Sequence, residues 1–186
     1  MPIALEQACI IVRELRRRLE FSAGARARVR ARLVPVGSLR RREPLASDID
    51  LLVVVPDGAD SGDLLARAVL RAGGRARAAL EIAGDRCCGP RRRTMLLSGG
   101  ALHRFPVDLF LVRESELPFA LFHYTGSRAY NIRTRAHAKR LGWTLNQYGL
   151  FDRAGRRVRG TRQIRTEAEI ADRLGISHRA ATDRKK

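Results

Sequence analysis

A chain of 186 residues, 45% of them apolar, has enough hydrophobic material for one substantial domain or two small ones sharing an interface, which excludes wholesale disorder. Its 37 Lys and Arg against 19 Asp and Glu leave a formal charge of +18, so a polyanion is drawn to it and salt weakens the attraction; nucleic acid is the first candidate, an anionic membrane surface the second. No run approaches the ~18 apolar residues of a membrane span, Glu6 and the arginines from Arg13 to Arg18 interrupt any secretion leader, and neither Cys9, Cys87 and Cys88 nor the scattered histidines form a disulfide framework or a zinc site.

Residues 4–21 place Leu5, Ala8, Val12, Leu15 and Leu19 at three- and four-residue intervals, which predicts an amphipathic helix. Arg13, Arg16, Arg17 and Arg18 lie mostly off that stripe, as a solvated face or one that tracks phosphates. Residues 29–36 predict a strand stopping at Gly37-Ser38, and 49–55 a stronger one ended by a Pro56-Asp57-Gly58 turn. A helix is expected over 60–72, closing at Gly73-Gly74, then strands over 76–82, 94–97 and 106–112. Between the first two of these, 84–93 reads as a flexible loop holding the reduced pair Cys87-Cys88; its Arg86, Arg91, Arg92 and Arg93 touch nucleic-acid phosphates or stay solvated.

The pattern changes after Glu114. Pro118 opens a short apolar helix through Phe122, Tyr124 to Ser127 form a turn, and Arg128 to Leu141 form a basic helix stopped by Gly142. Short strands and turns fill 143–165, and Thr166 with Glu169 makes a capping box for a helix to Leu174. The last ten residues, polar and basic, are expected to fray. The boundary falls near 113–117, giving an α+β domain over 1–113 and a mostly helical lobe with a small sheet over 114–186.

The chemistry sits in the acids. Asp48 and Asp50 open the apolar run 49–55 and, two apart, share a face, with Ile49 turned into the core. Such carboxylates repel unless a cation lies between them, and Mg²⁺ suits hard oxygen ligands while leaving positions for phosphate oxygens. Asp108, between Val107 and Leu109, is a third acid in an apolar strand and needs a partner or a metal. If its strand lies beside 49–55, three carboxylates with two ions make a phosphoryl-transfer centre. Upstream, Gly37-Ser38 lets backbone and hydroxyl approach a phosphate, with Arg40, Arg41 and Arg42 as cations nearby. Neither a Walker loop nor a Gly-x-Gly-x-x-Gly dinucleotide motif is present.

Gly37-Ser38, Ser47-Asp48-Ile49-Asp50, Phe105-Pro106-Val107-Asp108 and Tyr124-Thr125-Gly126-Ser127, in this order and spacing, resemble the family X DNA polymerases. The stretches 123–131 and 145–150 are especially similar, and the likeness runs from about 30 to 175. Above all it is to the small viral members, which lack the N-terminal lyase domain and carry a histidine at the position of His123. The resemblance implies a nucleotidyltransferase palm with a mixed sheet, followed by a small α/β nucleotide-handling lobe. Asp48 and Asp50 would bind both of two Mg²⁺ ions, with Mn²⁺ able to substitute, and Asp108 would activate the primer 3′-hydroxyl. Gly37, Ser38, Arg40, Arg41, His123, Tyr124, Gly126 and Asn131 would handle the nucleotide. Arg135 would reach the template side, and Arg128, Arg133, Lys139, Arg16 and Arg17 the DNA backbone. The reading is thus a template-directed polymerase acting on gapped or primer–template DNA with dNTPs, in short-gap repair synthesis. It would be intracellular (nucleus, cytoplasm or virion) and monomeric, with no membrane and no obligate protein partner. The rival readings are a template-independent transferase acting on tRNA or a small molecule, and a non-enzymatic nucleic-acid-binding module.

Overall fold

A computed structural model describes residues 1–22, 31–58, 81–87, 89–100 and 102–184, the side chains of 18–22 and 87 excepted. The chain divides into two units, Met1–Arg113 and Glu114–Lys186. The helix expected over 60–72, its Gly73-Gly74 stop and the start of the strand at 76 lie outside the described residues, as do Val29 and Cys88.

The first unit is built on a five-stranded mixed sheet. Its strands are β2 (Arg32–Pro35), β4 (Ile49–Val55), β5 (Glu81–Cys87), β6 (Arg92–Gly99) and β7 (Leu102–Arg113). They lie in the order β2-β4-β7-β6-β5, with β4 and β7 parallel and the other pairs antiparallel. A small second ladder joins β1 (Ile3–Ala4) to β3 (Leu45–Ala46). Helix α1 (Leu5–Ser22) packs its predicted stripe, Ala8, Val12 and Leu15, with Ile11, into one core. Ile49, Leu51, Val53 and Val55 of β4 and Phe105, Val107, Leu109 and Leu111 of β7 enter the same core, the period of two that a pleated strand imposes. Leu52 and Val54, on the opposite face of β4, are also buried, which is why this strand reads as a continuous apolar run. Each fully buried aliphatic side chain contributes roughly 1.5–3 kcal/mol, so β4 and β7 anchor the unit.

The expected loop at 84–93 is mostly strand. β5 and β6 pair from Glu81↔Ser98 to Cys87↔Arg93, and 89–91 between them are turn. Polar and basic composition hid the hairpin, because β5 carries few apolar side chains and, among the described residues, pairs along one side only. Arg93 pairs with Asp85 across it at 3.2 Å.

The second unit holds α3 (Leu117–Thr125), α4 (Arg128–Arg140), the hairpin β8 (Thr144–Asn146) and β9 (Gly149–Phe151), and α5 (Glu167–Leu174). Pro118 stands in the first turn of α3, where its missing N–H costs nothing. Ser127 caps α4 and Thr166 caps α5, each accepting from the backbone N–H three residues on. Phe119, Phe122, Tyr130, Leu145, Leu150, Ile170 and Leu174 form the core, with Trp143 against it, so Tyr130 and Trp143 are packing residues. His137 Nε2 donates to the Leu174 carbonyl at 2.8 Å and ties α4 to the end of α5.

The tail does not fray up to Arg184, against the expectation. Arg184 is 1% exposed, its guanidinium stacked 4.6 Å from the Tyr130 ring centroid and 5.0 Å from that of Phe122. Its Nη1 pairs with Glu167 at 2.9 Å, its Nε donates to the Arg179 carbonyl, and its own carbonyl accepts from Ser127 N. Arg184→Ala would remove the charge paired with Glu167 and the packing against Phe122 and Tyr130, and should cost about 3–5 kcal/mol in urea unfolding. The double change Glu167→Gln with Arg184→Met should recover most of that loss.

Candidate active site

The parallel register of β4 and β7 sets Asp50 against Asp108. The antiparallel pairs beyond set Thr94 against Asp108 and Arg86 against Thr94. One row across four strands therefore reads Arg86, Thr94, Asp108, Asp50, all on the face opposite the α1 core. Neighbouring strands lie about 4.8 Å apart, so the two carboxylates are close enough for strong mutual repulsion. Asp48 stands in the bend just before β4. Burial, followed by the charge of Asp108, raises its pKa, while Arg41 pulls the other way.

Asp50 carries a large shift. Burial first, then Asp48 and Asp108, push its pKa up to about 7, with Arg92 and Arg41 partly offsetting them. Its backbone carbonyl accepts from Val36 N at 3.0 Å, which brings the start of α2 (Gly37–Arg40) against it. Gly37 has φ +60°, and a Cβ there would lie 2.2 Å from Asp50 Oδ2. The glycine is thus required twice, by the left-handed backbone and by the carboxylate against it.

Around the acids stand groups that suit an anionic ligand. The Ser38 hydroxyl is buried with no hydrogen-bond partner among the described residues. Arg41 is held by Glu43, through Nε at 2.9 Å and Nη2 at 2.8 Å. Arg40 lies at the end of α2. Sequence reasoning missed two partners of Asp108: Thr94 donates its hydroxyl to Oδ1, and Arg92 Nη2 donates to Oδ2 at 2.7 Å. A signal existed in the alternation Arg93, Met95, Leu97 against Arg92, Thr94, Leu96, which places Arg92 and Thr94 on one face.

The second unit brings four of its predicted residues together. Arg135 Nη2 lies 3.0 Å from His123 Nδ1, Asn131 Nδ2 donates to the His123 carbonyl at 2.7 Å, and the rings of His123 and Tyr124 meet edge to face at 4.8 Å. A guanidinium only donates, so Nδ1 accepts and the imidazole carries its proton on Nε2. Burial, then Arg135, lower the His123 pKa to about 4, and the ring is neutral at pH 7. Gly126, with φ 68°, closes α3 beside it. Arg128, Arg133, Arg135 and Lys139 are all exposed on α4. On α1 of the first unit, Arg16 instead donates twice to the Leu33 carbonyl, and Arg17 pairs with Glu14 at 2.9 Å.

A model of the DNA polymerase beta thumb matches residues 120–185. "Repair DNA polymerase X" of African swine fever virus (strain Badajoz 1971 Vero-adapted) is 34% identical over 179 residues, covering 95% of this chain and 96% of the viral protein. The same protein of the Pig/Kenya/KEN-50/1950 isolate is 33% identical over 184 residues, covering 98% and 99%. The chain belongs to the family X DNA polymerases. Like the small viral members, whose length it shares, it is a DNA-directed DNA polymerase of the repair type. Among solved structures, the ternary primer–template complex of Leishmania infantum polymerase beta superposes with TM-score 0.79 at 19% identity, covering the whole of this chain and 77% of that one; the likeness places the fold.

Family X polymerases depend on divalent metal. Among the described residues no three His, Cys, Asp or Glu side chains are gathered tightly enough to hold an ion as they stand, since Asp108 is turned to Arg92 and Thr94. The donor chemistry nonetheless fits a cation. The groups are hard carboxylate oxygens, burial and then their repulsion raise the Asp50 pKa to about 7, and a guanidinium is already drawn onto Asp108.

Asp50 and His123 give opposite pH dependences. Asp50 has a folded pKa of about 7, above its unfolded value of 3.8, so its contribution is fully present below the unfolded value and is lost as pH rises through 7. His123, lowered from 6.5 to about 4, contributes stability above the unfolded value that is lost as pH falls through 4. Metal-free Asp50→Asn should therefore gain on the parent between pH 4 and 7, by on the order of 4 kcal/mol at most, in chemical unfolding curves taken across that range.

Proposed function

We propose that this polymerase adds a dNMP from a dNTP to a primer 3′-hydroxyl at the acid row, in short-gap repair synthesis, with Asp48, Asp50 and Asp108 as its metal-holding and catalytic residues. The observation that carries this is the β4–β7 register: it sets two half-buried carboxylates against each other, with Asp48 two residues before Asp50, at a cost in repulsion that a divalent cation would remove.

In this reading Asp48 and Asp50 would hold both of two Mg²⁺ ions, or Mn²⁺ in their place, and Asp108 would share one. Bound there, the pair would acidify the primer hydroxyl and carry the charge of the triphosphate and the leaving pyrophosphate. Asp108, steadied by Thr94, orients the hydroxyl and draws its proton as the oxygen attacks the α-phosphorus in line. Ser38 offers an unspent hydroxyl to the triphosphate, and the Gly37 backbone, with no Cβ, admits a phosphate close to Asp50. Arg41, fixed by Glu43, and Arg40 supply positive charge for the departing pyrophosphate.

The second unit carries its own groups suited to handling a nucleotide. Neutral His123 offers Nε2–H to a phosphate or sugar oxygen, and Arg135 fixes that tautomer. Tyr124 and Gly126 form the platform for the sugar, Asn131 reads the minor-groove edge of the new pair, and Arg135 reaches the template side. Arg128, Arg133 and Lys139 carry backbone phosphates, and the protein works as a monomer. The surplus of cations makes binding steeply salt-dependent.

Primer extension on a single-nucleotide gap tests the assignment. Asp48→Asn, Asp50→Asn and Asp108→Ala should each lower kcat about a thousandfold or more, while DNA affinity holds or tightens because negative charge is removed. Normal extension by any of the three would overturn the site. Equal affinity for gapped and uninterrupted duplex would overturn the gap-filling part alone. Gly37→Ala should lower kcat through Asp50 and cost about 1–2 kcal/mol of stability from its left-handed backbone.

A further inference from the structure

Asp108 is held from two sides by groups of different chemistry. Thr94, opposite it on β6, gives a neutral hydroxyl to Oδ1, which leaves the carboxylate free to bind a cation through Oδ2. Arg92, two residues earlier on β6 and so on the same face, gives Oδ2 a full positive charge at 2.7 Å. Its guanidinium lies over the Phe110 ring, 5.4 Å from the centroid, and Phe110 is two residues beyond Asp108 on β7. The ring therefore aims the guanidinium at that oxygen. The arginine never loses its proton at working pH, so a metal ion approaching Oδ2 meets a like charge already seated there. The seat is not permanent, because the Arg92 side chain is 50% exposed whereas that of Asp108 is 13% exposed. A pair with one partner half in water is weakly held, and the guanidinium can swing out while the carboxylate stays.

We propose that Arg92 is a resident counter-cation of the acid row, which holds Asp108 in place in the metal-free protein and must give up Oδ2 for a divalent cation to bind. Arg92 thereby sets the metal concentration at which the site fills. It is a positioning residue acting through Asp108, and the proposal rests on the reading of Asp108 as a metal ligand.

The test is Mn²⁺ binding to the DNA-free protein, followed by loss of the free-ion electron paramagnetic resonance signal. Removing a like charge from the ion's seat should tighten binding about five- to tenfold in Arg92→Ala. Arg92→Gln, which keeps the stem over Phe110 but drops the charge, should tighten it similarly, and Arg92→Lys should stay near the parent. The half-saturating Mg²⁺ concentration for gap filling should fall in parallel, a shift that loss of a merely structural contact would not produce. Asp108→Asn separates the two ways of failing. If it leaves Mn²⁺ affinity unchanged, Asp108 is not a ligand and both readings fall. If it weakens binding while Arg92→Ala and Arg92→Gln leave affinity unchanged or lower, only the role given to Arg92 is overturned.

Discussion

Two carboxylates on adjacent strands, Asp50 and Asp108, face each other because β4 and β7 run parallel with one fixed register. Shifting that register by one residue would turn Leu109 and Leu51 out of the core, so hydrophobic packing enforces the electrostatic conflict. Burial of Asp50 sharpens it, since a poorly solvated carboxylate tolerates a neighbouring charge least. Much of the first unit can be understood as a response to this row: Gly37 without a side chain, Arg41 clamped by Glu43 nearby, and Arg92 drawn onto Asp108.

The same constraint links stability to activity. The core needs Ile49 and Val107 inside, which places the next residue of each strand, Asp50 and Asp108, on the other face. The acids cannot be removed by drifting register, only by substitution. Under the proposed reading the metal-free site carries a repulsion that a bound cation would relieve, the kind of perturbation that clusters at functional sites. In the second unit the charge logic differs. His123 is kept neutral by burial and by Arg135, so it acts as a hydrogen-bond donor of fixed tautomer rather than as a cation.

How much of this the sequence discloses depends on how local the signal is. β4 was legible because seven residues from Ile49 to Val55 are apolar apart from Asp50, and α1 because its stripe has a helical period. The capping box at Thr166 and the Pro118 start are written in adjacent residues and were found at the right places. The β5–β6 hairpin was legible only in part: the expected strand over 94–97 lies within β6, but most of β5 read as loop because it is polar and leads into a segment rich in Gly, Pro and Arg. Arg184 leaves no trace at all: one arginine in a basic tail is ordinary, and only the fold brings Glu167, Phe122 and Tyr130 around it. Likewise the three acids were visible as residues, but the Arg92–Asp108 pair follows from a strand neighbour sixteen positions away.

The central claim is that the row beginning at Asp50 is the cation site of the polymerase. Calorimetric titration of Mn²⁺ into the DNA-free protein, repeated in buffers of different ionisation enthalpy, counts the protons released as the ion binds. With the Asp50 pKa near 7, binding at pH 7 should release about half a proton, and the release should vanish well above that pH and in Asp50→Asn. Proton-neutral binding at pH 7, or a release that survives in Asp50→Asn, would contradict the account.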